Sequence, residues 1–434
     1  MAPRHKRASL QALIDDALAE TPPGRVVWVA LSGGLDSSLL LTLAAQACRR
    51  HPRPLYALHV HHGLQRAADG FERHCRRLAS RLGVPLFIER VAVERDAGLG
   101  LEGAAREARY AAFARRVASG ETLWLAQHRD DQAETFLLAA LRGSGVRGLA
   151  GMPAEREWRG RRLVRPLLAC SRNELEAAAA RLGLSWIDDP SNTDESLDRN
   201  FLRGSVLPLL QSRWPQAATA LAGSARLAGE AEQLLEELAA GDLAALGDDP
   251  GCLDVSALLR LSVPRRRSLL RHVCHRLGVP TPPAGRLETL LEQLEARSDA
   301  QVRVSWSGAE ARIWRGQLYL LLPWDSLLPE WTLEWDGRAP LVSPWGEIGV
   351  GLAPVEGHPV RLTLKARQGG ERLCLAGRGS RDLKRLLQEA QVPPWARERV
   401  AVVWHEQHPV AALLLPEGRW LAVAAGWASA VREE

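Results

Sequence analysis

The sequence predicts an α/β chain: a doubly wound parallel sheet, followed by a mostly helical middle domain and a small α+β C-terminal domain. Three observations predict it. Apolar strands alternate with helical segments across the first half. The first of those strands runs without a break into a Gly-Gly turn and another helix. The second half passes from Ala-, Leu- and Glu-rich helical spacing to short strands and a basic terminal segment. A chain of 434 residues has room for about three domains, and composition shifts place them at 1–215, 216–345 and 358–434.

The first strand, Val26-Val27-Trp28-Val29-Ala30-Leu31, leads into Ser32-Gly33-Gly34-Leu35-Asp36-Ser37-Ser38. Gly33 and Gly34 let the backbone approach an anion with no Cβ in the way, and the helix opening at Ser37 and Ser38 aims its N-terminal N–H groups at it. This is a phosphate site. No Gly-Lys-Ser/Thr follows to put a lysine on the terminal phosphates. Asp36 occupies the mouth instead, where a carboxylate beside phosphates calls for a bridging Mg²⁺ with Asp36 as its protein ligand.

Helix Ser37–Arg50 leads to the strand Pro54–His61, helix Phe71–Leu82 to the strand Pro85–Val91, and helix Leu101–Ala118 to the strand Thr122–Ala126. These runs are apolar enough to be buried on both faces as parallel strands, with ligands at their carboxyl ends. There the chain reads Gln127-His128-Arg129-Asp130-Asp131-Gln132-Ala133-Glu134-Thr135. Asp130 and Asp131 suit a helix N-terminus, while Asp131, Glu134 and Thr135 share one helix face. Two carboxylates beside a triphosphate repel it unless they hold Mg²⁺ or a cationic second substrate. His59 and His61 alternate with His62 along a strand, so the three are not expected to share a metal.

Apolar residues make up 46% of the chain, but no run approaches the roughly eighteen uncharged apolar residues of a membrane span. Arg4-His5-Lys6-Arg7 is not followed by an apolar core of signal-peptide length, so a cytoplasmic location is expected. The six cysteines (Cys48, Cys75, Cys170, Cys252, Cys274 and Cys374) form no C-x-x-C pair and read as reduced thiols. Net charge is only +5, and of 56 basic residues only Lys6, Lys365 and Lys384 are lysines. That total permits an acidic partner without demanding one.

Ser32-Gly33-Gly34-Leu35-Asp36-Ser37 resembles the pyrophosphate loop (PP-loop) of N-type ATP pyrophosphatases, which implies ATP cleaved between its α and β phosphates. His128-x-Asp130-Asp131-Gln132-x-Glu134-Thr135 and Leu141-Arg142-Gly143-Ser144-Gly145 resemble the tRNA(Ile)-lysidine synthetase family. So do His62-Gly63-Leu64, Glu102-Gly103-Ala104-Ala105-Arg106, Arg165-Pro166-Leu167-Leu168, Asp188-Asp189-Pro190-Ser191-Asn192 and Arg199-Asn200-Phe201-Leu202-Arg203. Gln65 stands where that family often has arginine.

The resemblance implies ligation of free L-lysine to C2 of the wobble cytidine of tRNA(Ile) with a CAU anticodon, in two steps. The C2 oxygen attacks the α-phosphate of ATP, and the ε-amine of lysine then displaces AMP. It also implies that Asp131 and Glu134 hold the lysine ammonium or take its proton, Arg106 clamps its carboxylate, and His128 contacts the α-phosphate. Asp130, Asp189, Arg199, Asn200 and Arg203 are implied as further substrate contacts. A second copy of the chain is left open as a partner.

In the second half, residues 216–245 have helical spacing broken at Gly247–Gly251, and Pro264–Arg271 carries four arginines that suit either a solvated face or phosphate contacts. Strands are expected at Val302–Trp306, Ala311–Trp314 and Gln317–Leu322, and the Trp-rich tail to about residue 350 reads as a β-rich linker. Between Arg361 and Arg399 stand ten basic and four acidic residues. Within this stretch Arg381–Gln388 is expected to be an amphipathic helix that buries Leu383, Leu386 and Leu387 and presents Arg381, Lys384 and Arg385. The same stretch resembles the family's C-terminal domain, which implies an acceptor-stem contact, with Lys365 adding an ammonium. No aromatic ladder for single-stranded bases is visible.

Three other functions disagree with the residues present. A tRNA thiolase needs sulfur-carrying cysteines in a paired motif, and a glutamine-dependent synthetase needs a nucleophilic cysteine where Ala2 stands. A catalytically dead RNA-binding protein would lack Asp36 or the acidic pair; all are present.

Overall fold

A computed structural model describes residues 9–63, 68–93, 100–295, 302–356 and 360–431. Arg4, His5, Lys6, Arg7, Leu64 and Gln65 lie outside the described residues, as do the side chains of Glu102 and Ser191. The chain divides into two compact units, 1–237 and 238–434.

Unit 1 begins with α1 (Leu10–Ala19), β1 (Val27–Ala30), α2 (Leu35–Arg50), β2 (Leu55–His61), α3 (Ala68–Leu82), β3 (Leu86–Arg90), α4 (Gly100–Arg116) and β4 (Thr122–Trp124). It continues with α5 (Arg129–Leu141), α6 (Val146–Leu149), β5 (Glu155–Trp158), β6 (Arg161–Val164), α7 (Arg172–Arg181), α8 (Asp198–Phe201), a π-helical turn at Leu202–Val206, α9 (Leu207–Arg213) and α10 (Ala217–Ala245), in which the division of the units falls. The sheet order is β3-β2-β1-β4-β6-β5. All pairings are parallel except β5 with β6. The doubly wound sheet is as expected.

Both faces of the sheet are covered, which explains the continuous apolar character of its strands. Val27 and Val29 of β1 pack into one core with Ile14, Leu18 and Leu39–Leu41, while Trp28 between them points into the opposite core with Leu58, Phe113 and Leu123. Truncating one of these fully buried leucines to alanine costs about 2–5 kcal/mol.

The β5–β6 hairpin is not foreseen from the sequence. Its two turn residues, Arg159 (φ 51°) and Gly160 (φ 71°), both adopt left-handed backbone. Such a turn favours Asn-Gly, and Arg-Gly is a weak signal for it.

β1 lies between β2 and β4, so the winding of the sheet reverses at the β1/β4 pair and opens a crevice at their carboxyl ends. The Gly-Gly loop follows β1, and Gln127–Asp131 follows β4.

Unit 2 contains β7 (Cys252–Asp254), α11 (Val255–Arg260), α12 (Val263–Arg276), α13 (Ala284–Gln293), β8 (Val302–Trp306), β9 (Ala309–Trp314) and β10 (Gln317–Leu321). These strands form one sheet in the order β7-β10-β9-β8. There follow β11 (Thr332–Trp335), β12 (Leu341–Ser343), β13 (Gly346–Ile348), β14 (Val350–Pro354), β15 (Leu362–Ala366), β16 (Arg372–Leu375), β17 (Gly379–Asp382), α14 (Leu383–Glu389), β18 (Val400–His405), β19 (His408–Leu414), β20 (Arg419–Val423) and β21 (Trp427–Val431). Their main sheet is β11-β15-β18-β19-β20.

The tail read as a linker proves to be built in. β11 pairs with β15, β14 pairs with β21, and Trp335, Val350 and Leu352 are buried in the same core as Leu364 and Val403.

Two other expectations change. The basic helix starts at Leu383, because Asp382 accepts a hydrogen bond from the Lys384 N–H (2.7 Å) and caps it; Arg381 therefore sits on β17. On α12, three of the four arginines are committed within the unit: Arg265 to Asp242, Arg266 to the Leu258, Leu259 and Leu261 carbonyls, and Arg267 to Glu288.

Among the described residues no helix is long and apolar enough to cross a membrane, and all six cysteines are free.

Candidate active site

The loop after β1 is held open by its own side chains. Ser37 Oγ accepts hydrogen bonds from the Ser32 and Gly33 N–H groups (3.1 and 3.3 Å) and lies 2.9 Å from Ser32 Oγ. Gly33 has φ +94°, and a Cβ there would come within 3.1 Å of Phe71 and 3.2 Å of Cys75 Sγ, so position 33 requires glycine twice over. Gly34 is the N-cap of α2, two residues earlier than the sequence predicts, and makes no side-chain cap. The first-turn amides of Leu35, Asp36 and Ser37 thus line the crevice without a capping side chain, while the Ser38 N–H bonds the Gly34 carbonyl (3.1 Å).

Asp36 stands in that first turn. Arg172 Nη1 donates to both of its carboxylate oxygens (3.0 and 2.8 Å), and His128 Nε2 is 3.9 Å away. Burial raises the Asp36 pKa, and His128 and Arg172 offset this in part. His128 is the N-cap of α5 and only 3% exposed. Three carboxylates surround it: Asp131 at 3.5 Å, Asp130 at 3.6 Å and Asp36 at 3.9 Å. Burial alone would lower its pKa; the carboxylates outweigh burial and hold it above the ordinary value.

Asp131 accepts from the His128 N–H (3.0 Å), and Asp130 accepts from the Arg172 N–H (2.9 Å). Arg172 therefore fixes two carboxylates, Asp130 with its main chain and Asp36 with its side chain. Arg203, on the π-helical turn, spans the other pair. It donates to Glu134 (2.7 and 3.0 Å) and to Asp131 (2.7 Å), while Arg199 lies 3.5 Å from Glu134 and donates to Thr135 Oγ1 (3.0 Å). Glu134 is fully buried, and burial raises its pKa against the pull of Arg203.

Asp36, His128, Asp130, Glu134, Asp189 and Arg203 line one cavity of about 1020 Å³ together with the glycine loop. That is at the upper end of the roughly 300–1,000 Å³ of small-molecule sites. Its walls also include apolar surface from Leu58, Val60, Phe113, Leu125 and Ala126. Asp131 meets this group through Arg203.

Arg106 is not on the cavity wall. It is exposed, with its guanidinium 4.9 Å from the Tyr110 ring centroid, and Arg109, one turn on, lines the cavity in its place. Arg109 donates to His62 Nε2 (3.4 Å), whose pKa falls to about 4, chiefly by burial and then by the arginine. Asn200 is turned to the Asp194 carbonyl (3.0 Å). Lys365, Arg381, Lys384 and Arg385 all belong to unit 2.

Two motif residues have structural work. Gln132 clamps the Ala150–Met152 segment, accepting from the Met152 N–H (2.8 Å) and donating to the Met152 carbonyl (3.0 Å). The buried Arg165 ties Gln127 (2.9 Å) to the Pro153 carbonyl (2.7 Å), and burial lowers its pKa to about 10. Arg172 and Arg109 are the site residues that the sequence reading missed. The Ser171-x-x-Glu174 capping box marks the helix that Arg172 opens. Nothing local marks its contact with Asp36, 136 residues away.

Three family models match the chain: a PP-loop domain over residues 4–210, a TilS substrate binding domain over 253–319, and a TilS substrate C-terminal domain over 362–423. Among curated relatives, the tRNA(Ile)-lysidine synthase of Xanthomonas axonopodis pv. citri is 48% identical over 398 residues, covering 91% of this chain and 90% of the relative. Those of Alkalilimnicola ehrlichii and Pseudomonas putida are each 44% identical, over 91% and 90% of this chain and 90% and 92% of their own lengths.

Proposed function

Because the chain belongs to the tRNA(Ile)-lysidine synthase family, we propose that it ligates free L-lysine to C2 of the wobble cytidine of CAU-anticodon tRNA(Ile) at the expense of ATP, in the cytoplasm. The observation that carries this reading is the opening of the uncapped phosphate loop and a half-buried acidic cluster into one cavity at the reversal of the sheet.

ATP is the substrate of the PP-loop domain, with its pyrophosphate part against the first-turn amides of α2 and its base against the apolar wall. These amides stabilise charge on the leaving pyrophosphate. Asp36 fits a Mg²⁺ ion: it is a hard oxygen donor at the loop mouth whose buried charge a cation would relieve. No cluster of three or more protein ligands occurs among the described residues, which suits an ion that keeps water and phosphate oxygens. Bound there, Mg²⁺ would neutralise phosphate charge.

In the first step the cytidine C2 oxygen attacks the α-phosphorus and pyrophosphate leaves. His128, whose pKa its carboxylate neighbours raise, lies beside Asp36 to meet the α-phosphate. In the second, the lysine ε-amine attacks C2 and the C2–O bond breaks, releasing AMP. Asp131 and Glu134 receive the ammonium and take its proton; Arg203 ion-pairs with both and holds them side by side. Asp130 and Asp189 shape the surrounding walls, Arg199 braces Glu134 and Thr135 from behind, Asn200 holds the Asp194 carbonyl, and Arg109 takes the carboxylate-clamp role expected of Arg106. The 216–345 and 358–434 segments are assigned to tRNA contact.

The test is mass spectrometry of anticodon nucleosides after incubation of the protein with ATP, Mg²⁺, lysine and a CAU-anticodon transcript. A lysine-mass adduct on the wobble cytidine is expected; an unmodified cytidine under conditions where ATP is hydrolysed overturns the reading.

A further inference from the structure

Within unit 2, Trp395 packs edge-on against Trp314 (ring centroids 6.3 Å) and Tyr319 (5.5 Å), joining the short helical turn Pro394–Arg399 to the β9–β10 hairpin. Arg315 and Arg397 flank this aromatic contact, and Arg367 is close enough for its charge to act on Arg397. Arg315, at the hairpin tip, stacks over Trp314 with its guanidinium 4.8 Å from the ring centroid. Arg397 lies two residues beyond Trp395 and donates to the Val392 carbonyl (2.8 Å). Arg367 enters from the end of β15, where its N–H bonds the Val400 carbonyl (3.2 Å) three residues past Arg397.

Among the described residues no carboxylate forms an ion pair with any of the three, although neighbouring Arg312 and Arg399 are paired with Glu310 and Glu417. Arg367 Nε is buried with no hydrogen-bond partner. A buried cationic donor left empty costs free energy unless a ligand fills it. Burial and the two other guanidiniums lower the Arg397 pKa, as like charges held together do.

We propose that Arg315, Arg367 and Arg397 form a phosphate-binding site for the backbone of structured RNA, separate from the Lys384–Arg385 helix face. Guanidinium forks match phosphate oxygens, and an aromatic face fixes one of them in place without a counter-charge. The site rests on the reading of this chain as a tRNA-modifying enzyme.

Arg315→Gln, Arg367→Gln and Arg397→Gln are tested singly in the full chain by filter binding to tRNA over several salt concentrations. Each is expected to weaken binding and to flatten the log–log salt slope by about one unit, near the −0.9 expected per neutralised phosphate. Arg367→Lys, which keeps the charge, should restore most of the slope and separates lost charge from misfolding. Affinity and slope equal to the parent's in all three glutamine variants overturn the site. So does saturable binding of inorganic phosphate that the variants abolish while their tRNA slope stays unchanged. Lysidine formation by the parent is measured alongside. A parent that makes lysidine with variants that bind like it overturns only this site, whereas altered slopes with an inactive parent overturn only the reaction.

Discussion

In the catalytic cavity Arg203 reaches two carboxylates within 3.0 Å, whereas the charged groups acting on Arg397 in unit 2 are two further guanidiniums. The chain is rich in arginine throughout, so residue type does not separate these regions; counter-charges do. Unit 1 matches Asp36, Asp131 and Glu134 to Arg172, Arg199 and Arg203, which keeps these three carboxylates beside a phosphate loop from repelling an anionic ligand. Around Trp395 the cations are left for a partner to neutralise. An internally balanced site suits chemistry on small charged substrates, and an unbalanced one suits a polyanion.

The sharpest break in that comparison is Asp36→Ala. It should cut pyrophosphate release by on the order of 10²–10³-fold, the scale of losing one charge-stabilising group, while tRNA binding stays near the parent's. Normal release removes Asp36 from the chemistry.

Glu134→Gln should raise the lysine KM at least about tenfold, or ~1.4 kcal/mol, with a much smaller change in the ATP KM. An equal rise in both takes lysine away from the Asp131–Glu134 pair.

His128 tests the electrostatic balance by pH. Its folded pKa is raised, so its charged form is favoured on folding. That stabilisation is fully present below about pH 6.5, the unfolded value, and is lost as pH rises through the raised folded value. Replacing His128 by glutamine should flatten the fall in Tm between pH 6 and pH 9. A variant with the parent's pH profile shows that the three carboxylates do not hold His128 charged.

The smallest effect is expected from Lys384→Ala and Arg385→Ala. Together they should weaken tRNA binding and reduce the salt slope with ATP affinity unchanged. Arg385 already shares Glu389 (3.3 Å), so Lys384 should account for most of the loss. A parent-like titration would leave both as solvated surface.

The sequence by itself determined the alternating sheet, the phosphate loop and the family. Each rests on short-range spacing: strand into Gly-Gly into helix, or carboxylates three residues apart on one helix face. Where it went astray, local pattern and tertiary contact disagreed. Arg106 fits a cavity-facing motif yet packs on Tyr110, Arg381 fits a helix yet lies on β17 because Asp382 caps later, and the Trp-rich tail completes a sheet whose other strands come decades of residues afterwards. Only the tertiary structure decided which arginine answers which carboxylate. Arg172 meets Asp36 across 136 positions and Arg203 meets Asp131 across 72. A salt bridge is set by distance in space, to which sequence periodicity is blind, and arginines are too many in this chain for composition to choose among them.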